Sequence, residues 1–304
     1  MASHKQSTLS RLVDRMRLFK VKRREELKDI LERRLEAIEA MSENNLTNQA
    51  LQALNIDIQL SMHMDVESSI PFFKPWSHGK LAVHPINLQE SEIREQLEDL
   101  RLSLAGVGPA FQSIGGGTTH RWAQIMSYRM MWELMVAPRQ GSLQDRQTIG
   151  HMTDWRRVTG IPISRHFDRI FVPASPEWGI DYLWRFAEGK HPHIKVCMHH
   201  DANGTEGVPF QGELLAIMAI MVTRLGHKDF KKHVIIPVMM VSFMGNNRRG
   251  RIIVSWFDGE RLIVKMSPLY RFLLQDRAGL FLFTRYLASE VDMDMTTRRL
   301  PGEA

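Results

Sequence analysis

Cysteine is nearly absent from this chain, since Cys197 is the single one among 304 residues. One thiol cannot form an internal disulfide, which favours a reducing compartment and excludes a zinc site built on several thiolates. Apolar runs are also short: residues 214–222 form the longest, well below the ~20 residues that a membrane helix needs. The amino terminus lacks the apolar stretch of a secretory signal. We therefore expect an intracellular protein of the cytoplasm or nucleus with no transmembrane segment.

Acidic residues are scarce in one region, residues 11–24, which hold seven basic side chains and one acid. This excess equals the whole net charge of +6, because the rest of the chain has 33 residues of each sign. A uniformly basic nucleic-acid binder is thereby disfavoured. The basic run predicts a local contact with an anion or an import receptor, and an Arg-rich, acid-poor start also fits a mitochondrial transit peptide. The predicted contact residues are Arg17, Lys20, Lys22, Arg23 and Arg24.

Residues 9–41 contain no Gly or Pro and predict one long helix. Its apolar residues Leu27, Leu31, Leu35 and Ile38 recur at spacings of four, four and three. Such a stripe either packs on the same chain or forms a short coiled coil with a protein partner or a second copy. Because only about two heptads are clean, both alternatives stay open.

The pattern divides the chain into four segments. Residues 1–64 form a basic helical extension with a second helix at 46–64, and residues 65–150 form a helical region with irregular linkers. Residues 151–295 form the domain with strands, and residues 296–304 form a tail. Within the third segment, residues 181–187 suggest a short helix.

The carboxy-terminal region alternates between strand and helix patterns. Strands are predicted at 194–198, 233–243, 251–257 and 260–266, and helices at 209–225 and 268–289. Asp258-Gly259 predicts a two-residue hairpin turn, and Pro237 predicts an edge position or a bulge for its strand. The expected fold class is α+β, with a helical amino-terminal half and a carboxy-terminal mixed sheet of three to four strands flanked by helices.

Two resemblances follow from these residues. The runs at 233–243 (HVIIPVMMVSF) and 250–265 (GRIIVSWFDGERLIVK) resemble a segment of uncharacterised proteins from filamentous fungi. That resemblance covers roughly residues 195–290 and implies no activity, although an accessory role in a fungal pathway is compatible with it.

The order helix, three strands, helix is also similar to the core of PD-(D/E)XK nucleases. In that family a helix acid, a strand acid and an acid-x-Lys motif hold Mg²⁺ and position water. The resemblance places Glu213 as the helix acid and Lys265 as the lysine, with Asp258 as a further acid. Ile263 stands where the motif needs an acid, and residues 251–257 contain none. A degenerate nuclease that binds or cleaves nucleic acid is therefore the alternative function.

The polar run His199-His200-Asp201 is the candidate transition-metal site, because imidazole and carboxylate are suitable ligands. Its spacing matches no motif, and ordinary histidines at a strand end are the competing interpretation. With no complete catalytic set in the sequence, no cofactor is predicted, and Mg²⁺ only under the nuclease alternative. The main hypothesis is a non-catalytic interaction or accessory protein that associates through residues 9–41.

Overall fold

The computed structural model describes residues 2–42, 46–62, 70–108, 118–142, 146–158, 178–187, 189, 191–245, 247–272 and 277–302. Side chains are described from residue 21 in the first range and from residue 120 in the range 118–142. The helices are α1 (Ala2–Glu39), α2 (Asn48–Ala53), α3 (His78–Ala82), α4 (Ser91–Leu104), α5 (Thr118–Met135), α6 (Ile149–Met152), α7 (Gln211–Gly226) and α8 (Arg277–Leu287).

An eight-stranded mixed sheet forms the centre of the fold. Its strands are β1 (Ile56–Leu60), β3 (Trp155–Arg157), β4 (Trp178–Phe186), β5 (Ile194–His200), β6 (Val238–Met244), β7 (Arg249–Phe257), β8 (Leu262–Met266) and β9 (Tyr270–Arg271). The order is β1-β8-β7-β6-β5-β4-β3, with β9 on the end of β7. The pairs β1–β8 and β5–β6 are parallel and the others antiparallel. A separate ribbon pairs β2 (Phe73–Lys74) with β10 (Glu290–Val291).

The expectation of a three-to-four-stranded sheet that follows a helical amino-terminal half is wrong, because the central sheet has eight strands. The predicted helix at 46–64 ends at Ala53, and the chain continues as β1, where Ile56 pairs with Leu262 of β8. The predicted helix at 181–187 is part of β4, which is antiparallel to β5. In both cases pairing with a distant strand outweighs the local helical pattern, as β-structure depends on tertiary context.

Helices cover both faces of the sheet, and the strand alternation defines which residues face each layer. Arg251 and Ser242 are cross-strand partners and therefore share a face, as do Phe243 and Gly250 on the other side. The helices α1 and α7 pack together on the Arg251 side, where Glu213 of α7 reaches Arg251. The helices α5 and α8 lie on the Phe243 side, shown by Trp122 and Phe283 against the Phe243 ring.

The apolar stripe of α1 is buried within its own chain. Leu27, Leu31, Leu35 and Ile38 are at most 1% exposed and belong to the same hydrophobic core as α7 and the sheet. That core extends from Leu27 to Leu300 and so crosses the segment borders that the sequence predicted at 64/65 and 150/151. Intrachain packing is therefore the alternative that these four side chains adopt.

The predicted β7–β8 hairpin is confirmed, with Phe257 opposite Leu262, but its connection has four residues rather than two. Asp258 closes that loop by accepting the backbone N–H groups of Glu260 (2.9 Å) and Arg261 (2.6 Å). Gly259 has φ +101°, and a Cβ there would lie 2.6 Å from Leu300 Cδ1. The prediction for Pro237 is wrong: β6 is an interior strand, and the proline precedes its first paired residue, so no ladder donor is lost.

Candidate functional site

Glu213, the predicted helix acid, is fully buried at the start of α7 and paired with Arg251 of β7. The Arg251 Nε donates to its Oε1 at 2.9 Å and Nη2 donates to its Oε2, while the Phe210 N–H donates to Oε2 at 2.8 Å. Burial by itself raises the pKa of Glu213, but the Arg251 charge, the neighbouring His200 and the hydrogen bonds from Arg251 outweigh it and lower the pKa to about 2. The carboxylate is thus already neutralised by the protein.

The structure does not bring Glu213, Asp258 and Lys265 together. Lys265 is the cross-strand partner of Val254, three residues from Arg251, so its side chain lies on the opposite face of the sheet from the Glu213–Arg251 pair. Its Nζ lies 6.0 Å from the centroid of the Trp256 ring. Asp258 is seven residues beyond Arg251, roughly 20 Å along the strand. One cation with ligand distances of about 2–2.6 Å cannot be shared by these groups.

The predicted ligands His199 and His200 also face opposite sides, because they are consecutive on β5. His200 stacks on Phe210 with ring centroids 4.4 Å apart, and its Nε2 lies 3.9 Å from Glu213 Oε1, too far for a hydrogen bond. His199 bonds through Nδ1 to Asp181 at 2.8 Å on the other side. Asp201 follows the strand. Within the described ranges, no group of three ligating side chains could hold a metal.

The predicted basic contact residues have different environments. Arg24 is 5% exposed and donates to the carbonyl oxygens of Leu225, Phe230 and His233, the last at 2.7 Å. These contacts hold α1 against the carboxyl end of α7, where unpaired carbonyls need donors. Lys22 is exposed, and Arg23 lies 3.4 Å from Glu26. The side chains of Arg17 and Lys20 lie outside the described part of the chain.

A cavity of about 740 Å³ lies between α3, α4, α5 and α8. Its wall is mostly apolar, with Leu81, Leu97, Leu104, Trp122, Leu280 and Phe281 among the lining residues. This volume is within the range of small-molecule sites. We call it the α4–α5–α8 cavity.

The charged wall of the α4–α5–α8 cavity is formed by Arg129, Glu133 and Arg139, each at most 6% exposed. One carboxylate serves two guanidinium groups, since both Arg129 Nη2 and Arg139 Nη2 donate to Glu133. Burial raises the pKa of Glu133, but the two arginine charges outweigh it and keep the carboxyl ionised. The trio therefore carries one uncompensated positive charge.

Two donors of this wall, the Nε atoms of Arg129 and Arg139, have no acceptor among the residues that the structure describes. Leaving buried donors unpaired is costly, and an anionic ligand group would remove that cost. Arg248 and Arg277 also line the cavity, half-buried and exposed respectively, and add positive charge.

Few of the described lining residues of this cavity carry reactive side chains. Their single hydroxyl is that of Thr284, which donates to the Leu280 carbonyl at 2.8 Å. The described wall contains no cysteine, histidine or lysine. The sequence did not predict this cavity, because the apolar pattern of α5 is that of a core helix. The available signal was the i,i+4 pair Arg129–Glu133 in an otherwise apolar face, followed by Arg139.

Comparison of the chain with protein-family models, curated proteins and solved structures found no match. Among the described helices, none has both the length and the apolar character to span a bilayer.

Proposed function

We propose that this chain is a non-catalytic binding protein whose α4–α5–α8 cavity takes an amphipathic ligand with an anionic head group. One observation carries the proposal. The Nε atoms of Arg129 and Arg139 are buried in a mostly apolar wall and have no hydrogen-bond acceptor among the described residues. An apolar ligand body would cover the leucine and aromatic side chains, and the head group would accept hydrogen bonds from the two arginines.

The test compares decanoate with decanol, which share a chain and differ in head-group charge, by titration calorimetry on the full chain. Decanoate should bind at least tenfold more tightly, because the desolvated arginines need an acceptor of opposite charge. Equal affinities, or binding of neither molecule, would overturn the proposal.

Three variants locate the binding. Arg129→Gln removes one donor while Arg139 still pairs with Glu133, and should reduce decanoate affinity about tenfold. Leu97→Trp should block the cavity, whereas Leu102→Ala, on the exposed side of the same helix, should bind as wild type. Thermal melting of each variant shows whether it is folded. Unchanged affinity in folded Arg129→Gln and Leu97→Trp would contradict the site.

The binding function and the nuclease alternative predict different results with nucleic acid. Incubation of the chain with DNA or RNA and Mg²⁺ should give no cleavage, since Glu213 is paired with Arg251 and separated from Lys265 by the sheet. Cleavage that Glu213→Gln abolishes would replace the binding function with the enzymatic one.

A further inference from the structure

A second, smaller cavity of about 230 Å³ lies at the carboxyl end of α7, on the opposite side of the sheet from the first. Leu183, Ile194 and Ile220 form its apolar wall. Arg185 and Arg224 bring two positive charges and Asp229 brings one negative charge, so the lining is positive by one charge. We call it the Arg224 pocket.

Two donors of Arg224, Nε and Nη2, are buried and have no acceptor in the described ranges of the chain. One face of its guanidinium lies 4.2 Å from the centroid of the Phe230 ring. Burial lowers the pKa of Arg224 to about 10, with the nearby charge of Arg185 adding to that effect and Asp229 opposing it. A guanidinium that is desolvated and beside a like charge lacks the compensation that buried charges normally have.

A role of Arg224 as a helix cap does not account for this geometry. The carbonyl oxygens at the end of α7 are already bound by Arg24, which donates to those of Arg224 and Leu225. The Nε and Nη2 atoms of Arg224 are the same two donors with which Arg251 holds both oxygens of Glu213. Arg224 thus offers a bidentate edge of the kind that this protein elsewhere fills with a carboxylate.

We propose that the Arg224 pocket binds a small carboxylate with an apolar body. The guanidinium edge would take both oxygens of the carboxylate, and Leu183, Ile194 and Ile220 would cover the body. With about 30 Å³ for each water in the liquid, the cavity has room for roughly eight non-hydrogen atoms. Arg185 would strengthen the attraction from the exposed side.

Benzoate is a suitable probe, and benzamide is its neutral counterpart of equal size. In titrations of the full chain followed by NMR or calorimetry, benzoate should bind at least tenfold more tightly than benzamide. Inorganic phosphate should bind more weakly than benzoate, because it leaves the apolar wall uncovered. Equal binding of benzoate and benzamide, or stronger binding of phosphate, would overturn the assignment.

Variants separate this site from the α4–α5–α8 cavity. Arg224→Lys keeps the charge but loses the two-donor edge, and should weaken benzoate binding at least tenfold. Ile220→Phe should block the pocket, whereas Leu102→Ala, at an exposed position of α4 that lines neither cavity, should leave benzoate affinity unchanged. If the buried substitutions fail to fold, Arg185→Glu decides: at this exposed position a carboxylate competes for Arg224 and should abolish benzoate binding. Benzoate affinity that survives in Arg185→Glu combined with Leu97→Trp, which blocks the α4–α5–α8 cavity, would refute the proposal.

Discussion

Arg251 donates hydrogen bonds from Nε and Nη2 to the two carboxylate oxygens of Glu213, and this pair links β7 to the first turn of α7. The remaining Arg251 nitrogen, Nη1, donates to the Val208 carbonyl at 2.8 Å, in the segment before the helix. Neither side chain is more than 1% exposed. The pair therefore fixes how the chain passes from β5 into α7.

Replacing one partner of the Glu213–Arg251 pair should strongly destabilise the folded protein. Glu213→Gln leaves an uncompensated buried guanidinium, and we expect a loss of about 3–5 kcal/mol in the free energy of unfolding. The urea midpoint at constant m-value measures it. The double variant Glu213→Leu with Arg251→Met is the matched control and should recover most of the loss. A single variant that loses less than about 1 kcal/mol would argue against the pair's structural role.

The same carboxylate predicts acid sensitivity. Its pKa is about 2 in the folded protein against 4.5 for the ordinary group, so its stabilising contribution is complete above pH 4.5 and disappears as the pH falls towards 2. Urea midpoints at pH 6, 4 and 3 should converge between wild type and Glu213→Gln. A constant difference between the two proteins over that range would contradict the prediction.

Arg24 should contribute far more to the free energy of unfolding than Arg23. Arg24→Gln removes a charged donor from the carbonyls of Leu225, Phe230 and His233, and we expect a loss of about 2–4 kcal/mol. Arg23→Gln removes an ion pair with Glu26 near the surface and should change stability by less than about 1 kcal/mol. Thermal or urea unfolding compares the two, and equal effects would show that Arg24 does not anchor α1.

The apolar stripe of α1 gives a further test. Leu31→Ala should cost about 2–5 kcal/mol because the side chain is fully buried, whereas Val21→Ala, 49% exposed, should be nearly neutral. A chain lacking residues 1–41 should lose cooperative unfolding, since the α1-facing side of α7 would be uncovered. If that shorter chain unfolds cooperatively and has the monomer mass by light scattering, α1 is dispensable for the fold.

Much of the fold was predictable where local patterns and packing agree. The Leu27–Ile38 stripe predicted the long helix, and the Asp258-Gly259 turn between two apolar runs predicted the hairpin. The strand β1 was not predictable in this way, because Ile56 and Ile58 gain their partners from β8, some 200 residues later. The fungal and nuclease resemblances stay predictions.

Some features of the site residues could be predicted from local sequence patterns, and others depend on contacts between distant elements. The predicted strand ended at residue 198. Had it been extended to His200, strand alternation would have implied that the consecutive His199 and His200 face opposite sides of the sheet. An arginine inside the apolar run of β7 signalled a buried partner, but the sequence could not identify Glu213 as that partner. The donors of Arg129, Arg139 and Arg224 that lack an acceptor among the described residues depend on distances between elements and have no sequence signature.

The parallel pairing of β1 with β8, and the packing of α1 on α7, join the first elements of the chain to some of its last. A ribosome adding about 5–20 residues per second needs roughly 10–40 s to supply those partners after α1 has been synthesised. During that interval the Leu27–Ile38 stripe has no surface to cover it. The nascent chain is therefore expected to be a client of chaperones that hold apolar helices, and its yield should depend on translation speed between residues 60 and 270.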